Sequence, residues 1–289
     1  MPQTPFTDPS PIAAGLKLAE LISALSHALD ITEGQPEGHC VRCCWIGMHL
    51  GRSIGLTETQ QWELYYTLLL KDLGCSSNAA RICELYLTDD LNFKRDFKHV
   101  GDSLPQVVRF VLQHTGLKAG LAERFRSVLN IFRNGPEFSQ ELIQTRCQRG
   151  AEIARLLRFS EGVAAGIYSL DEHWSGQGKP DQLSGTAIPV YARIALLAQV
   201  VDVFHMADGK EAAMDEVRKR NGQWFDPTLV AAMEELAAQE SFWTTLRSDQ
   251  IEQAVLALEP AGCVVPLDED YLDEIAAALG QVVVSKSPY

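Results

Sequence analysis

Residues 57–74 read TETQQWELYYTLLLKDLG, and this stretch decides the fold. Thr57 and Gln60 stand at capping-box spacing: the threonine hydroxyl can accept from the third helical N–H while the glutamine reaches back to the cap amide. The apolar run behind them predicts a helix that continues to about Leu73. The same periodicity extends in both directions. Leu16, Leu18, Leu21, Ile22, Leu25 and Leu29 fall at mixed three- and four-residue steps and give one apolar face. A further helix fits Gly38 to Ile54, and Ser76 or Ser77 can cap one containing Ala79–Leu87. Others fit Pro105–His114, Leu121–Phe132, Glu137–Leu157, Glu161–Trp174, Pro189–Met206, Lys210–Arg220, Pro227–Ala238 and Glu269–Leu279. No segment alternates with the period of two that strands require. The spacing predicts an all-α protein.

Composition narrows the function classes. The chain has 289 residues, enough to bury a sizeable core without disulfide or metal staples. Its net charge of −13 sets up a field that repels polyphosphate, so nucleic acid and anionic membrane are disfavoured as partners. The N-terminus has no basic region followed by an apolar one, and no stretch of uncharged apolar residues is long enough to span a bilayer. Seven scattered cysteines read as reduced thiols of a cytoplasmic protein. Residues 1–11, with four prolines, look like a flexible lead-in, and residues 12–240 hold the strong helical pattern. Residues 241–289 form an acidic C-terminal helical segment: eight carboxylates and no Lys or Arg lie between Ser248 and Ser285, which predicts a solvated appendage.

Several residues could carry chemistry. Cys40-x-x-Cys43 has metal or redox spacing, but no second such pair accompanies it. On a helix these thiols are expected to pack as small hydrophobes. His27, His99, His114 and His205 have no partner at ligand spacing, and Lys94, Arg95 and Lys98 are expected to form a solvated face. A longer-range set is more informative. It consists of His39, LLLKDLG at 68–74, Arg146 with Gly150, EHWSGQGKPDQLSG at 172–185, Arg193-Ile194, Gln199 and Gly222-x-x-Phe225-Asp226-Pro227.

In this order and at these separations the set resembles the HD superfamily of metal-dependent phosphohydrolases, in its HD-GYP branch, over about residues 15–240. LLLKDLG stands against the family's LLHDIGK, and EHWSGQGKPDQLSG against HHExWDGxGYPxGLxG. The resemblance implies an HD-domain-like helical bundle holding two or three iron or manganese ions that hydrolyse cyclic di-GMP or a related dinucleotide. Carried over by position, the leading Glu of the ligand set falls on Gln35, while the first His is kept as His39. The His-Asp pair becomes Lys71-Asp72, the next His becomes Arg146, the His-His pair becomes Leu170-Asp171 and the late Asp becomes Gln199. The lysine after the His-Asp pair is Cys75, and the tyrosine of GYP is Lys179.

Losing imidazoles and carboxylates removes the donors a metal cluster needs, and two replacements are cations. We therefore expect no cofactor, or at most one divalent ion (Fe, Mn or Zn) on His39, Asp72 and Asp171. The degenerate slots Lys71, Asp72 and Cys75 are expected to carry no catalysis. A phosphate-containing small molecule or nucleotide would meet Lys71, Arg146, Glu172, His173 and Lys179. The expected function is that of a pseudoenzyme, a regulatory or ligand-binding domain of a cyclic-dinucleotide signalling protein. A phosphohydrolase with a reduced metal site, or a structural module forming a homodimer, are the alternatives. Leu279–Tyr289 also resembles the lead-in to a ligand histidine in HD-GYP domains, so a complete HD-GYP domain is expected downstream.

Overall fold

The computed structural model describes residues 17–33, 37–74, 140–262 and 265–284. The helices expected within 79–132, together with Gln35 and Cys75, lie outside the described residues. The described helices are α1 (Leu18–Glu33), α2 (His39–Ser53), α3 (Glu58–Leu70), α4 (residues 140–156), α5 (Glu161–Tyr168) and α6 (Val190–Asp208). Then follow α7 (Lys210–Lys219), α8 (Pro227–Ala237), α9 (Glu240–Leu246), α10 (Ile251–Leu256) and α11 (Glu269–Val284). No strand occurs among the described residues, only the isolated bridges Ser175–Ser184 and Asn221–Phe225. The all-α expectation holds.

The bundle is organised around α2, which touches α1, α3, α6, α8, α9 and α10. A helix packed on all sides must be buried on all sides. Hence His39, Cys40, Val41, Arg42, Cys43, Cys44, Ile46, Gly47 and Met48 are all buried. Close approach of α3 is possible because Gly47 has no side chain: a Cβ there would lie 2.5 Å from a Leu68 methyl. Helix α6 is long and apolar enough to cross a membrane, but 61% of its apolar window is buried inside the bundle, where it packs on α2, α3, α5 and α7.

The helix starts follow the local chemistry. Thr57 forms the full capping box with Gln60. Ser160 caps α5 through the Val163 amide, and Asp226 caps α8 with Pro227 in the first turn, where a missing N–H costs nothing. One helix is shorter than expected. The apolar spacing of Glu161–Trp174 suggested a single helix, but α5 ends at Tyr168 and Ser169 is its cap. The chain then turns, because Trp174 N and Ser175 N bond to the carbonyls of Trp224 and Gln223. Tertiary hydrogen bonds have overridden the helical pattern.

The acidic C-terminal segment is docked rather than solvated along its whole length. Tyr271, Ile275 and Ala278 are buried, and the Tyr271 hydroxyl donates to Leu157 O at 2.8 Å. Arg158 forms a two-pronged pair with Glu274 at 2.6 and 2.7 Å. Glu259 accepts from the Tyr66 hydroxyl, and Glu58 accepts from Gly262 N.

The end of α3 is fixed by a backbone contact with α4. A Cβ on Gly74 would lie 1.9 Å from Arg146 O and 2.7 Å from Gly150 N. Neither is a movable side-chain tip, so Gly74→Ala is expected to push Lys71-Asp72 and Arg146 apart. Overpacking of this kind costs about 1–3 kcal/mol or more, which urea unfolding should register as a lowered midpoint.

Candidate functional site

Three carboxylate clusters meet cations where α2, α3, α4 and α6 converge. The first is at the start of α2. Gly38, at φ 78°, sets the chain into the helix so that His39 and Arg42 both face α6. His39 Nδ1 lies 2.6 Å from Asp202 Oδ2. Arg42 Nε donates to Asp202 Oδ1 at 2.5 Å and Arg42 Nη2 to Oδ2 at 3.2 Å. An ionised carboxylate only accepts, so the proton of this imidazole bond sits on Nδ1. Burial alone would raise the Asp202 pKa, but the bonds from His39 and Arg42 outweigh it and hold the carboxyl below its usual range.

The second cluster joins α1, α2 and the end of α3. Lys71, almost wholly buried, donates to Asp72 Oδ2. Burial opposes the ammonium charge, but Asp72 more than compensates and raises its pKa. The Cys40 thiol donates to the same Asp72 oxygen at 3.4 Å. Asp30 Oδ1 accepts from Cys40 N at 3.3 Å, while its Oδ2 is buried with no hydrogen-bond partner among the described residues. Burial pushes the Asp30 pKa up to about 6, against the opposing pull of Lys71.

The third cluster is more open. Arg146 bonds Asp171, and the pair retains 30% and 20% side-chain exposure. Asp171 O accepts from Lys179 N at 3.0 Å, which folds the EHWSGQGKP loop back on itself. Gly178 is required in that fold, since a Cβ would lie 2.1 Å from His173 N. Buried Glu172 accepts from Asp181 N at 2.6 Å, and His173 stacks on Trp224 at 4.2 Å. Partial burial lowers the Lys179 pKa. Arg193 and Asp226 of the FDP close pair at 2.5 Å. Arg193 also lies over the Trp174 ring of the loop, 5.7 Å from its centroid.

The expected residues are thus distributed over separate clusters. Lys71 and Asp72 share one, Arg146 and Asp171 another, and Glu172, His173 and Lys179 line the adjoining loop. His39, Asp72 and Asp171 do not form one ligand set among the described residues. The donor groups close enough to share an ion are His39–Cys43–Asp202 and Asp30–Cys40–Asp72, each with ligand atoms within 4.8 Å of one another. Three residues escaped sequence reasoning: Asp202, Asp30 and Arg42. Asp202 lies three residues past Gln199, about one turn, and a carboxylate in the apolar run of α6 was the available signal.

The metal cluster implied by the resemblance can be tested against this chemistry. At Asp202 both oxygens already serve Arg42 and His39, so that group does not fit an ion. Asp30, one of whose oxygens is buried without a hydrogen-bond partner among the described residues, brings a carboxylate oxygen within 4.8 Å of the Cys40 thiol and an Asp72 oxygen, and that donor set fits a single divalent ion. Arg42→Met should strand the buried Asp202 charge and cost about 3–5 kcal/mol. Urea denaturation checks this, and a loss under 1 kcal/mol would contradict it.

Residues 119–229 match the HD domain family. The match takes in Arg146, the EHWSGQGKP loop and the FDP close. A 3′3′-cGAMP-specific phosphodiesterase 3 of Vibrio cholerae serotype O1 is 55% identical over 94% of this chain and 59% of its own length. A cyclic di-GMP phosphodiesterase of the same organism is 38% identical over 25% of this chain and 15% of its own length. Among solved structures, a cyclic GMP-AMP-specific phosphodiesterase of V. cholerae aligns with a TM-score of 0.74 and 48% identity, over 94% of this chain and 61% of that one. The chain spans less than two thirds of the first relative and of the solved structure. These findings overturn the expectation of a pseudoenzyme with a purely regulatory role: the relative matched over nearly all of this chain carries the name of an enzyme. The chain carries an HD domain.

Proposed function

We propose that this chain serves the hydrolysis of a cyclic dinucleotide, as an HD-GYP-type phosphodiesterase acting on 3′3′-linked cyclic GMP-AMP. The observation that carries the reading is the match over 94% of the chain to a relative named for that activity. The motif order, from His39 to Phe225-Asp226-Pro227, supports the HD-GYP branch. The buried, unpaired thiols Cys40, Cys43, Cys44 and Cys147 accord with a reducing cytoplasm.

In such a reaction water attaches its oxygen to phosphorus as the bond to the ribose 3′ oxygen breaks. The departing oxygen takes a proton, and the ring opens to a linear dinucleotide. A divalent ion, when bound, polarises the phosphoryl oxygens and acidifies water. Asp30, Cys40 and Asp72 have the donor chemistry to hold one, so the expectation of no cofactor gives way here to a single-ion site. The other residues act on the substrate's charge. Arg146 is half-exposed and offers a planar fork to phosphate oxygens, and Lys179 adds a mobile charge from the facing loop. Asp171 holds Arg146 in position and would release part of that hold when phosphate arrives. Glu172 and the His173–Trp224 stack keep the loop in register.

The test is chromatography of products after incubating the protein with 3′3′-cyclic GMP-AMP, and separately with cyclic di-GMP, in Mn2+, Fe2+ or Zn2+. Ring-opened product from the first substrate, abolished by chelator, is the expected result. Arg146→Glu should lower kcat/KM by about ten- to a hundredfold, the worth of one charge-assisted hydrogen bond. No turnover with any of the three ions would overturn the proposal.

A further inference from the structure

We propose that Asp30, Cys40 and Asp72 form a site for one thiophilic divalent ion of the zinc class, with a donor set different from the histidine–carboxylate set the resemblance implies. The inference deepens the phosphodiesterase reading and depends on it for its catalytic meaning. Binding of the ion stands on separate observations.

The first is an oxygen without an occupation. Asp30 is 0% exposed, and its Oδ2 has no partner among the described residues. Leaving a buried carboxylate oxygen unsatisfied is costly, and such atoms call for a physical account. The second is proximity. One oxygen each from Asp30 and Asp72 lies within 4.8 Å of the other and of Cys40 Sγ. With Zn–S near 2.3 Å and Zn–O near 2.1 Å, a tetrahedral centre separates its sulfur and oxygen donors by about 3.6 Å. Cys40 Sγ and Asp72 Oδ2 are 3.4 Å apart. Small side-chain rotations would bring Asp30 to the same spacing.

Charge gives the third argument. Two carboxylates and a thiolate carry three negative charges, and the buried Lys71 beside them carries one positive. A divalent ion makes the group neutral. Lys71 donates to Asp72 Oδ2, the same oxygen that lies beside Cys40, so the ion would share that oxygen with the ammonium through its second lone pair. On binding, the Cys40 S–H bond breaks, the sulfur keeps the pair for the ion, and the proton leaves to solvent. A sulfur donor favours zinc over magnesium or calcium. Three protein donors are the number found in catalytic rather than closed structural zinc centres.

Cobalt chloride is the direct probe. Added to the chelator-treated full chain, Co2+ should produce a sulfur-to-cobalt charge-transfer band that saturates at one equivalent and is displaced by Zn2+. Cys40→Ser, nearly isosteric, should remove the band, and Asp30→Asn should weaken Co2+ binding at least tenfold. Cys43→Ser should leave the band in place. Absence of the band in the unaltered protein overturns the site without recourse to any variant. A band kept in Cys40→Ser and lost in Cys43→Ser overturns it too, by moving the ion to His39, Cys43 and Asp202. A saturating band without dinucleotide hydrolysis upholds the site and overturns the phosphodiesterase reading. Hydrolysis without a band does the reverse.

Discussion

Everything near the centre of this protein answers to the burial of α2. Apart from its exposed last residues Arg52 and Ser53, a helix packed against six others among the described residues cannot keep a polar side chain in water, so each one it carries inward must meet a fixed partner. His39 and Arg42 meet Asp202 on one side, while Cys40 meets Asp30 and Asp72 on another. Successive helical residues diverge by about 100°, so residues 39, 42 and 43 share one face and residue 40 points to the next. The rotation of α2 is thereby set from two directions. Such pairs add little net stability compared with a well-packed apolar core, but breaking one leaves a stranded charge. Their effect is to make one register of α2 acceptable and its neighbours unacceptable.

Much of the fold was legible in local chemistry. Thr57 with Gln60, Ser160, and Asp226 before Pro227 each mark a helix start that the structure uses. What stayed hidden was information that one segment holds about another. Leu170 to Trp174 keeps helical spacing, yet the bonds from Trp174 and Ser175 to residues 223–224 bend it into a loop. In the C-terminal segment the carboxylates implied solvation. The apolar stripe of Tyr271, Ile275 and Ala278, at helical steps of four and three, was the stronger signal, because three buried side chains outweigh charges that can point outward.

The site was legible as a set of positions and not as an arrangement in space. Counting retained family ligands gave His39 and Asp72 and suggested a loss of function. A count of that kind assumes that each donor must stand where the family puts it. In the structure His39 bonds Asp202, about one helical turn beyond the position expected to hold a carboxylate. Asp72 is gathered with Asp30 and Cys40, neither of which belongs to the family pattern. A donor moved by one turn leaves the sequence motif while staying on the same face of the helix. Substitutions in a motif therefore show that the original ligand set has changed, and only geometry shows what has replaced it.

The replacements also follow a rule of charge. Lys71 sits on Asp72, Arg146 on Asp171 and Arg42 on Asp202, so that three carboxylates of the region each hold a cation. Asp30 has none bonded to it among the described residues, although it is as buried as any of them. Burial in low dielectric disfavours the ionised form strongly and pushes the Asp30 pKa up to about 6. The same desolvation that makes an ionised Asp30 unfavourable makes it a strong partner for any cation that can enter, because little water competes for it. The pairs on Asp202 and Asp171 leave those two carboxylates little to offer a metal, whereas Asp72, although bonded by Lys71, keeps an oxygen within 4.8 Å of the Asp30 and Cys40 donors. Asp30 is a buried carboxylate with no cation bonded to it among the described residues, and it stands beside a thiol.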